Sequence, residues 1–495
     1  MSVVKNDNKF FLKIDTNYIL ILSLSYLYLP LLIFLLSWIK IWMAVVCVFA
    51  SGLSVYGLYK DFRKSNSIIE LRLSVAILFL FVLVSEGILL GWGGWFPQAY
   101  DWIKHNGVLN DLVNYSWPVY YKSAANPSML TYNIGNYLAP ALLGKLFHSF
   151  KVAQFGLFLW LELGLVLVIL NLMRVCKANT VVRQLTMIVV FVFFNGCLLL
   201  GQHFYDVISG YYNYDIRWML SSSGAPLYQY KSNMTCMRWI MPQTICIWLI
   251  MTMWWDNKEK YRHYVALMLP AMLSGILPFV GLCFMALVCI LFEIIIRHDY
   301  RTDLRSVFSF NNIFEAATTG LILLLYYSGN VFNGKPDDIS FDLVKPDIIT
   351  LMCFLIADIG IYCILLWKEQ KMNGIFWGAL LLLLILPFTH MGKNNDLLMC
   401  ANVPGMFALM IIVIKYFMSP KNNIVTGILI STLVLASLYP IKEFKDSSFQ
   451  FQRNILPISL KDWSDLSLSD EDFKYNYFTY NIDDNIFVQY IARQK

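Results

Sequence analysis

The sequence predicts an all-α, polytopic transmembrane helix bundle of about thirteen spans, with juxtamembrane helices lying on its outer face. Three observations carry this. Of 495 residues, 58% are hydrophobic and 14% charged, whereas soluble domains carry roughly a quarter charged residues. Apolar runs of about 20 residues, the length that crosses a bilayer, recur along the chain. The Lys- and Arg-rich segments fall between alternate runs, as the cytoplasmic bias of basic loops requires.

The apolar runs cover 18–39, 41–58, 72–92, 153–172, 184–200, 238–255, 264–276, 278–296, 313–328, 348–367, 374–389, 398–417 and 424–440. The basic segments 59–72, 174–183, 256–262, 297–305, 368–371 and 415–421 all fall on the cytoplasmic side, provided one segment is not a span. That segment is "LTYNIGNYLAPALLGKLF" (130–147), which carries Asn133, Asn136, Pro140 and Lys145. Counting it would send every later basic loop outside, so it reads as a non-spanning helix at the outer face. The N-terminus is then cytoplasmic. Residues 93–152, 201–237, 329–347 and 390–397 and the tail 441–495 are extracytoplasmic. The tail is polar but rich in aromatics after residue 470, and reads as a small ordered cap on a membrane domain spanning 1–440.

The ten cysteines are scattered through apolar runs without metal-ligand spacing, so no cofactor or metal is expected. The carboxylates of 333–347 are the one place a divalent ion could be held, but flexible charged turns have the same composition. The net charge of +6 follows from unequal loops and points to no nucleic acid. Glu86 and Asp358 fall inside apolar runs. They read as interhelix hydrogen-bond partners, since neither has a cation within its own helix; in a transporter they would be proton-relay positions. No pair of broken helices marks a rocking transporter.

The first outer loop, "GWGGWFPQAYDWIKHNGVLNDLVNYSWPVYY", holds the densest chemistry. On a helix beginning near Tyr100, Asp101, Lys104, His105 and Asp111 share an arc of roughly 120°. Asp101 and Asp111 are about 15 Å apart along the axis, so they cannot serve one atom: one is the catalytic carboxylate and the other structural. A carboxylate beside cations at a membrane surface suits transfer from a phosphate-linked donor, with a proton accepted from the attacking hydroxyl and the leaving phosphate stabilised. Lys104 and His105 would also help keep Asp101 ionised. An interfacial helix with solvated charges has the same periodicity.

Further candidates lie in the other outer stretches. "GQHFYDVISGYYNYDIRWMLSSSGAPLYQYKSNMTCMRWIMPQ" offers His203, Arg238 and Gln243 among aromatic and amide groups suited to sugar rings; an aromatic belt would look alike. Arg238 either snorkels to lipid phosphate or binds a donor phosphate. "HMGKNNDLLMCANVPG" supplies Lys393, Asn395 and Asp396, with Lys393 a second candidate phosphate cation; a plain connecting turn is the alternative.

The order Asp101…His105…Asp111-Leu112…Trp117-Pro118, followed by Asn126-Pro127-Ser128-Met129-Leu130-Thr131-Tyr132…Gly144-Lys145, resembles the first outer loop of the GT-C superfamily. Those are integral-membrane glycosyltransferases, protein O-mannosyltransferases and aminoarabinose transferases among them. The chain is also similar to large uncharacterised bacterial membrane proteins that share the Asp-x-x-Lys-His-Asn…Leu-x-Asp-Leu…Trp-Pro loop, the Pro242-Gln243 helix start and the late Gly392-x-x-Asn395-Asp396. The resemblance implies a GT-C-like transmembrane domain in a bacterial cytoplasmic membrane. It implies an inverting enzyme that takes a sugar from a polyprenyl-phosphate carrier and passes it to a glycan, lipid or protein acceptor outside. Asp101 matches the family's catalytic base, with Lys104, His105, Asp111, Tyr132, His203, Arg238, Gln243, Lys393, Asn395 and Asp396 as substrate-binding candidates. Trp102 stands where the family usually has Glu, Asn126-Pro127 replaces Lys-Pro-Pro, and Cys400 stands near the place where the bacterial relatives carry an arginine. A polysaccharide polymerase or ligase would need paired outer-loop arginines, and a glycan or lipid-carrier transporter would need a charged path through the bundle.

Overall fold

The computed structural model describes residues 2–6, 9–64, 67–99, 101–121, 127–210, 228–297, 300–331, 341–392, 395–449, 459–460, 476–479 and 482–493. It is mostly helical, at 77%. Eight described helices are long and apolar enough to cross a membrane, and nine if one bent pair is counted as a span.

A short hairpin, β1 (Ser2–Asn6) and β2 (Lys9–Asp15), leads into α1 (Thr16–Trp38). The chain returns along α2 (Ile41–Phe62), adds β3 (Ile68–Arg72) to the hairpin and rises again as α3 (Leu73–Leu89). The loop after α3 holds α4 (Trp102–Asn114), β4 (Tyr120–Tyr121), β5 (Ser128–Leu130) and α5 (Gly135–Leu146). Helix α6 (Phe150–Cys176) descends, and α7 (Val181–Phe193) and α8 (Leu198–Ser209) rise with a 44° bend between them.

Next come the short α9 (Asn233–Trp239), then α10 (Met241–Trp255), α11 (Tyr264–Ser274), α12 (Ile276–Arg297), α13 (Tyr300–Val307), α14 (Phe310–Glu315) and α15 (Leu321–Val331). The strand β6 (Asp342–Leu343) precedes α16 (Ile348–Leu355) and α17 (Ile361–Gln370), which a π-turn at Ile356–Gly360 joins into one span. Helix α18 (Gly374–Ile385), strand β7 (Thr389–His390), α19 (Asp396–Ala401), α20 (Val403–Met418), α21 (Asn423–Phe449) and β8 (Phe478–Thr479) complete the chain.

The core lies around α10 and α20. The span containing α20 is 94% buried, against 28% for that of α21, so the first is central and the second peripheral. The outer helix faces stay apolar: Phe49, Phe81 and Val434 are each at least 60% exposed. An apolar belt of that extent needs hydrocarbon rather than water around it.

The two ends differ in chemistry. At one, the basic segments meet acids: Lys64 and Arg174 share Asp256 (3.2 and 2.5 Å), Arg262 and His263 share Asp61, and Lys421 reaches Glu369. At the other, β5 pairs with β4 and with β8 of the tail, β6 pairs with β7, and Ala492 bridges Ile39. The basic end and the loop end therefore gather the two sets of segments separated by charge.

Two expectations change. An all-α fold has to admit three small sheets; in β3 only Ile69 and Leu71 face inward, a period-2 pattern inside a segment whose charge dominates its composition. The 184–200 run is not one helix but breaks at 194–197. Residues 130–147, expected to be a helix that does not span, hold a 12-residue helix, about 18 Å long and too short to cross, after an extended stretch. Helix α21 continues past residue 440 to Phe449.

Glu86 and Glu162 are buried in α3 and α6, and among the described residues none of their carboxylate oxygens accepts a hydrogen bond. The interhelix hydrogen-bond reading of Glu86 therefore finds no donor.

Candidate functional site

Asp101 sits one residue before α4, at its N-cap, with its side chain 37% exposed and no hydrogen bond to the helix's own amides. Its carboxylate is thus uncommitted to capping, the usual task of an Asp there. Lys104, one turn on, holds its ammonium 3.7 Å away. Across the loop end, Asp101 lies within electrostatic reach of His105, Tyr132, Tyr137, Tyr477 and Cys400.

Those groups come from five elements, and packing fixes each. Tyr132 follows β5; its backbone N–H and C=O both bond the Tyr326 hydroxyl (3.0 and 3.1 Å), and its ring stacks on Tyr477 at 4.1 Å. Its hydroxyl also meets Gln243 at the start of α10. Gln243 packs directly on Gly275, the joint between α11 and α12, where a Cβ would lie 2.7 Å from the glutamine's own. Burial pushes the Tyr132 phenol up to about 12, so it stays protonated and can donate.

His105 differs from expectation. It is buried between Trp102 and Tyr137, with Nδ1 2.6 Å from the Tyr137 hydroxyl. Burial pushes its imidazole down to about 4, against the pull of Asp101. At neutral pH it carries no charge, so of the two neighbours expected to keep Asp101 ionised only Lys104 is a cation.

Asp111, three turns further on, serves the scaffold. It is fully buried; its Oδ2 accepts from Tyr121 (2.7 Å) and from the Leu460 N–H of the tail (3.0 Å). Burial raises its carboxyl to about 6, opposed by those two hydrogen bonds.

Arg238 is also committed. It is 2% exposed and paired with Glu443 of α21, itself 5% exposed. Asn395 is 1% exposed, caps α19 through the Leu398 N–H and donates to Thr389 O at 3.1 Å. Asp396 follows it, within reach of Cys400 and so of the Asp101 group. His203 stands exposed on α8, beside Phe204. Lys393 lies outside the described residues.

The structure thus brings Asp101, Lys104, His105, Tyr132, Gln243 and Asp396 together, leaves His203 apart, and occupies Asp111, Arg238 and Asn395 with packing.

One residue escaped the sequence reading. Lys231, partly exposed in the irregular segment before α9, lies within electrostatic reach of Cys236 and of Cys400, the thiol that Asp101 also reaches. Among the described residues it makes no ion pair. Its only sequence signal was a lone Lys between an aromatic stretch and an apolar run. A part-exposed carboxylate with ammonium groups and protonated phenols in its neighbourhood can accept a proton from a hydroxyl and hold an anion beside it. Among the described residues no three His, Cys, Asp or Glu side chains gather as metal ligands. Compared with known protein families, curated proteins and solved structures, the chain matches none.

Proposed function

We propose that the protein is an inverting, GT-C-type glycosyltransferase. It takes a sugar from a polyprenyl-phosphate carrier and passes it to a cell-envelope acceptor. In this reading the bundle has thirteen spans, with the basic end cytoplasmic and the loop end outside a bacterial cytoplasmic membrane. The acceptor hydroxyl attacks the sugar's anomeric carbon as the bond from that carbon to the phosphate oxygen breaks. Asp101 takes the hydroxyl proton, and Lys104 and Lys231 stabilise the departing polyprenyl phosphate. Tyr132, with Tyr477 stacked on it, and Gln243 offer a ring face and hydrogen bonds to the sugar. The supporting observation is the uncapped Asp101 carboxylate, part-exposed beside Lys104 and within electrostatic reach of the Tyr132–Tyr477 stack and of Cys400, which Lys231 also reaches. Purified protein in lipid, given polyprenyl-phosphate sugars and an acceptor extract, is expected to release polyprenyl phosphate. Sugar that crosses the bilayer still attached to its carrier would sink the reading.

Transport of a glycan or lipid carrier is the second reading. The α7–α8 break favours it, because interrupted spans line substrate paths in transporters.

A further inference from the structure

The broken span faces a second irregularity, and a buried acid stands between them. Asp358 lies in the π-turn joining α16 and α17, the eleventh residue of a 23-residue span. That places it about 15 to 18 Å from the ends at 1.5 Å per residue, near the middle of a bilayer. It is 1% exposed. Of the four residues that interrupt the α7–α8 span, Phe194, Asn195, Gly196 and Cys197, Gly196 lies against it and Cys197 is within its electrostatic reach, while Phe194 and Asn195 meet Tyr362 of the same span. A Cβ on Gly196 would fall 2.5 Å from the Asp358 carboxyl carbon and 2.6 Å from Oδ1, so only glycine leaves room for the carboxyl group.

The backbone of the break is held in register. Cys197 N–H donates to Ala357 O at 3.2 Å, and the Tyr362 hydroxyl donates to Asn195 O at 2.8 Å. In the π-turn, Ile361 N–H reaches back to Ile356 O rather than to Ala357 O. These bonds pin the break at Asn195 and Cys197 and leave the side-chain acceptors over. Among the described residues Asp358 accepts a hydrogen bond from the Tyr230 backbone N–H, while its Oδ1 has no donor. Asn195, 2% exposed, has a side-chain oxygen that also lacks a donor there. Among the described residues the titratable groups shown to face Asp358 are Cys197, Tyr230 and Tyr362, all neutral at ordinary pH, with no cationic side chain among them. An ionised carboxylate at membrane depth without a counter-charge is expensive.

We propose that Asp358, Asn195 and the opened backbone of the α7–α8 break form a binding site for a small monovalent cation, a proton or sodium. Oxygen acceptors in excess of donors, set on irregular backbone buried inside a bundle, are what such an ion requires. The site is separate from the Asp101 group and does not rest on glycosyl transfer.

The test uses the whole protein in lipid nanodiscs. Dicyclohexylcarbodiimide, which attacks protonated carboxyls in apolar surroundings, is applied between pH 5.5 and 8. The modified residue is then located by mass spectrometry of the peptides, with those of Glu86 and Glu162 as internal comparison. Modification of Asp358 is expected. If sodium is the ligand, sodium chloride at about ten times its dissociation constant slows that modification about tenfold by mass action, and radioactive sodium binds. If the ligand is a proton, modification proceeds regardless of sodium. Asp358→Asn removes both signals, and because the wild type carries the readout, poor folding of the variant does not blur the result. Neither modification of Asp358 nor sodium binding anywhere in this range overturns the proposal.

Discussion

Arg238 and Glu443 form an ion pair inside the bundle, Nη1 donating to both the Glu443 carboxylate and its backbone carbonyl (2.9 Å to the latter), across 205 residues of sequence. The Tyr439 hydroxyl lies 3.3 Å from the same carboxylate. Removing one partner leaves the other charged and buried, which costs about 3–5 kcal/mol, whereas replacing both with apolar groups is often neutral. Arg238→Met and Glu443→Leu are each expected to lower the unfolding temperature in detergent, with the double variant close to wild type. An Arg238 variant that unfolds normally but fails to bind a phosphate-linked lipid would return this residue to the donor site.

Lys231 makes the contrasting case. It is part-exposed and makes no ion pair among the described residues, so Lys231→Met is expected to fold and melt as wild type. On the proposed reading it loses a charge-assisted contact to the donor phosphate, worth about 1.5–3 kcal/mol, or roughly 10- to 150-fold in donor affinity. Titration of reconstituted protein with polyprenyl phosphate measures this directly. Unchanged affinity would remove Lys231 from the site.

Much of this was readable from the chain. Apolar length located the helices, and the basic segments assembled at one end because every loop holding them turns there. Non-local pairing was not readable. Glu443, the partner of Arg238, and Leu460, one of the two partners of Asp111, lie 205 and 349 residues away, and nothing local in "MRWIMPQ" or "LNDLVN" betrays them. The neutrality of His105 depends on burial by Trp102 and Tyr137, set by how α5 packs on α4. The break at Asn195-Gly196 did carry a signal, a turn-forming dipeptide within an apolar run, which overall hydropathy masked. The strands are too short, and too buried in polar context, for a period of two to stand out.

Asp111 gives the stability a pH dependence of known sign. Burial holds its carboxyl at about 6 in the folded protein against 3.8 for the free side chain. The folded state therefore binds the proton more tightly than the unfolded chain does. Its contribution is fully present below pH 4 and is lost as pH rises through 6, on the order of 3 kcal/mol over the window. Asp111→Asn does not titrate, and its carbonyl oxygen can still accept from Tyr121 and Leu460. Relative to that variant, the wild-type unfolding temperature is expected to fall between pH 4.5 and 7. A gap that stays constant with pH contradicts this.

The two ends also predict opposite accessibility. Asn114 and Tyr490 are exposed at the loop end and Asn422 at the basic end, while nine of the ten native cysteines are buried. A membrane-impermeant maleimide added to intact cells is expected to label Asn114→Cys and Tyr490→Cys. It should reach Asn422→Cys only after the membrane is opened. Labelling of Asn114→Cys and Asn422→Cys from the same face would break the assignment of ends.

Asp101→Asn tests the chemistry. The asparagine keeps the size of the side chain and, because Asp101 makes no capping bond, α4 loses only the part-exposed ion pair to Lys104. The variant cannot take a proton, and general-base catalysis typically contributes 10²- to 10⁴-fold. Turnover of a polyprenyl-phosphate sugar is expected to fall by about that factor, while the unfolding temperature and the affinity for polyprenyl phosphate hold. Asp101→Glu should recover part of the rate, since the carboxylate survives with its reach changed by one methylene. His105→Gln is expected to act differently: the imidazole is neutral and bonded to Tyr137, so its loss disturbs the packing of α4 on α5 and lowers stability first. If Asp101→Asn transferred sugar at the wild-type rate while His105→Gln abolished transfer in a stably folded protein, the base would be the imidazole, and Asp101 its electrostatic neighbour.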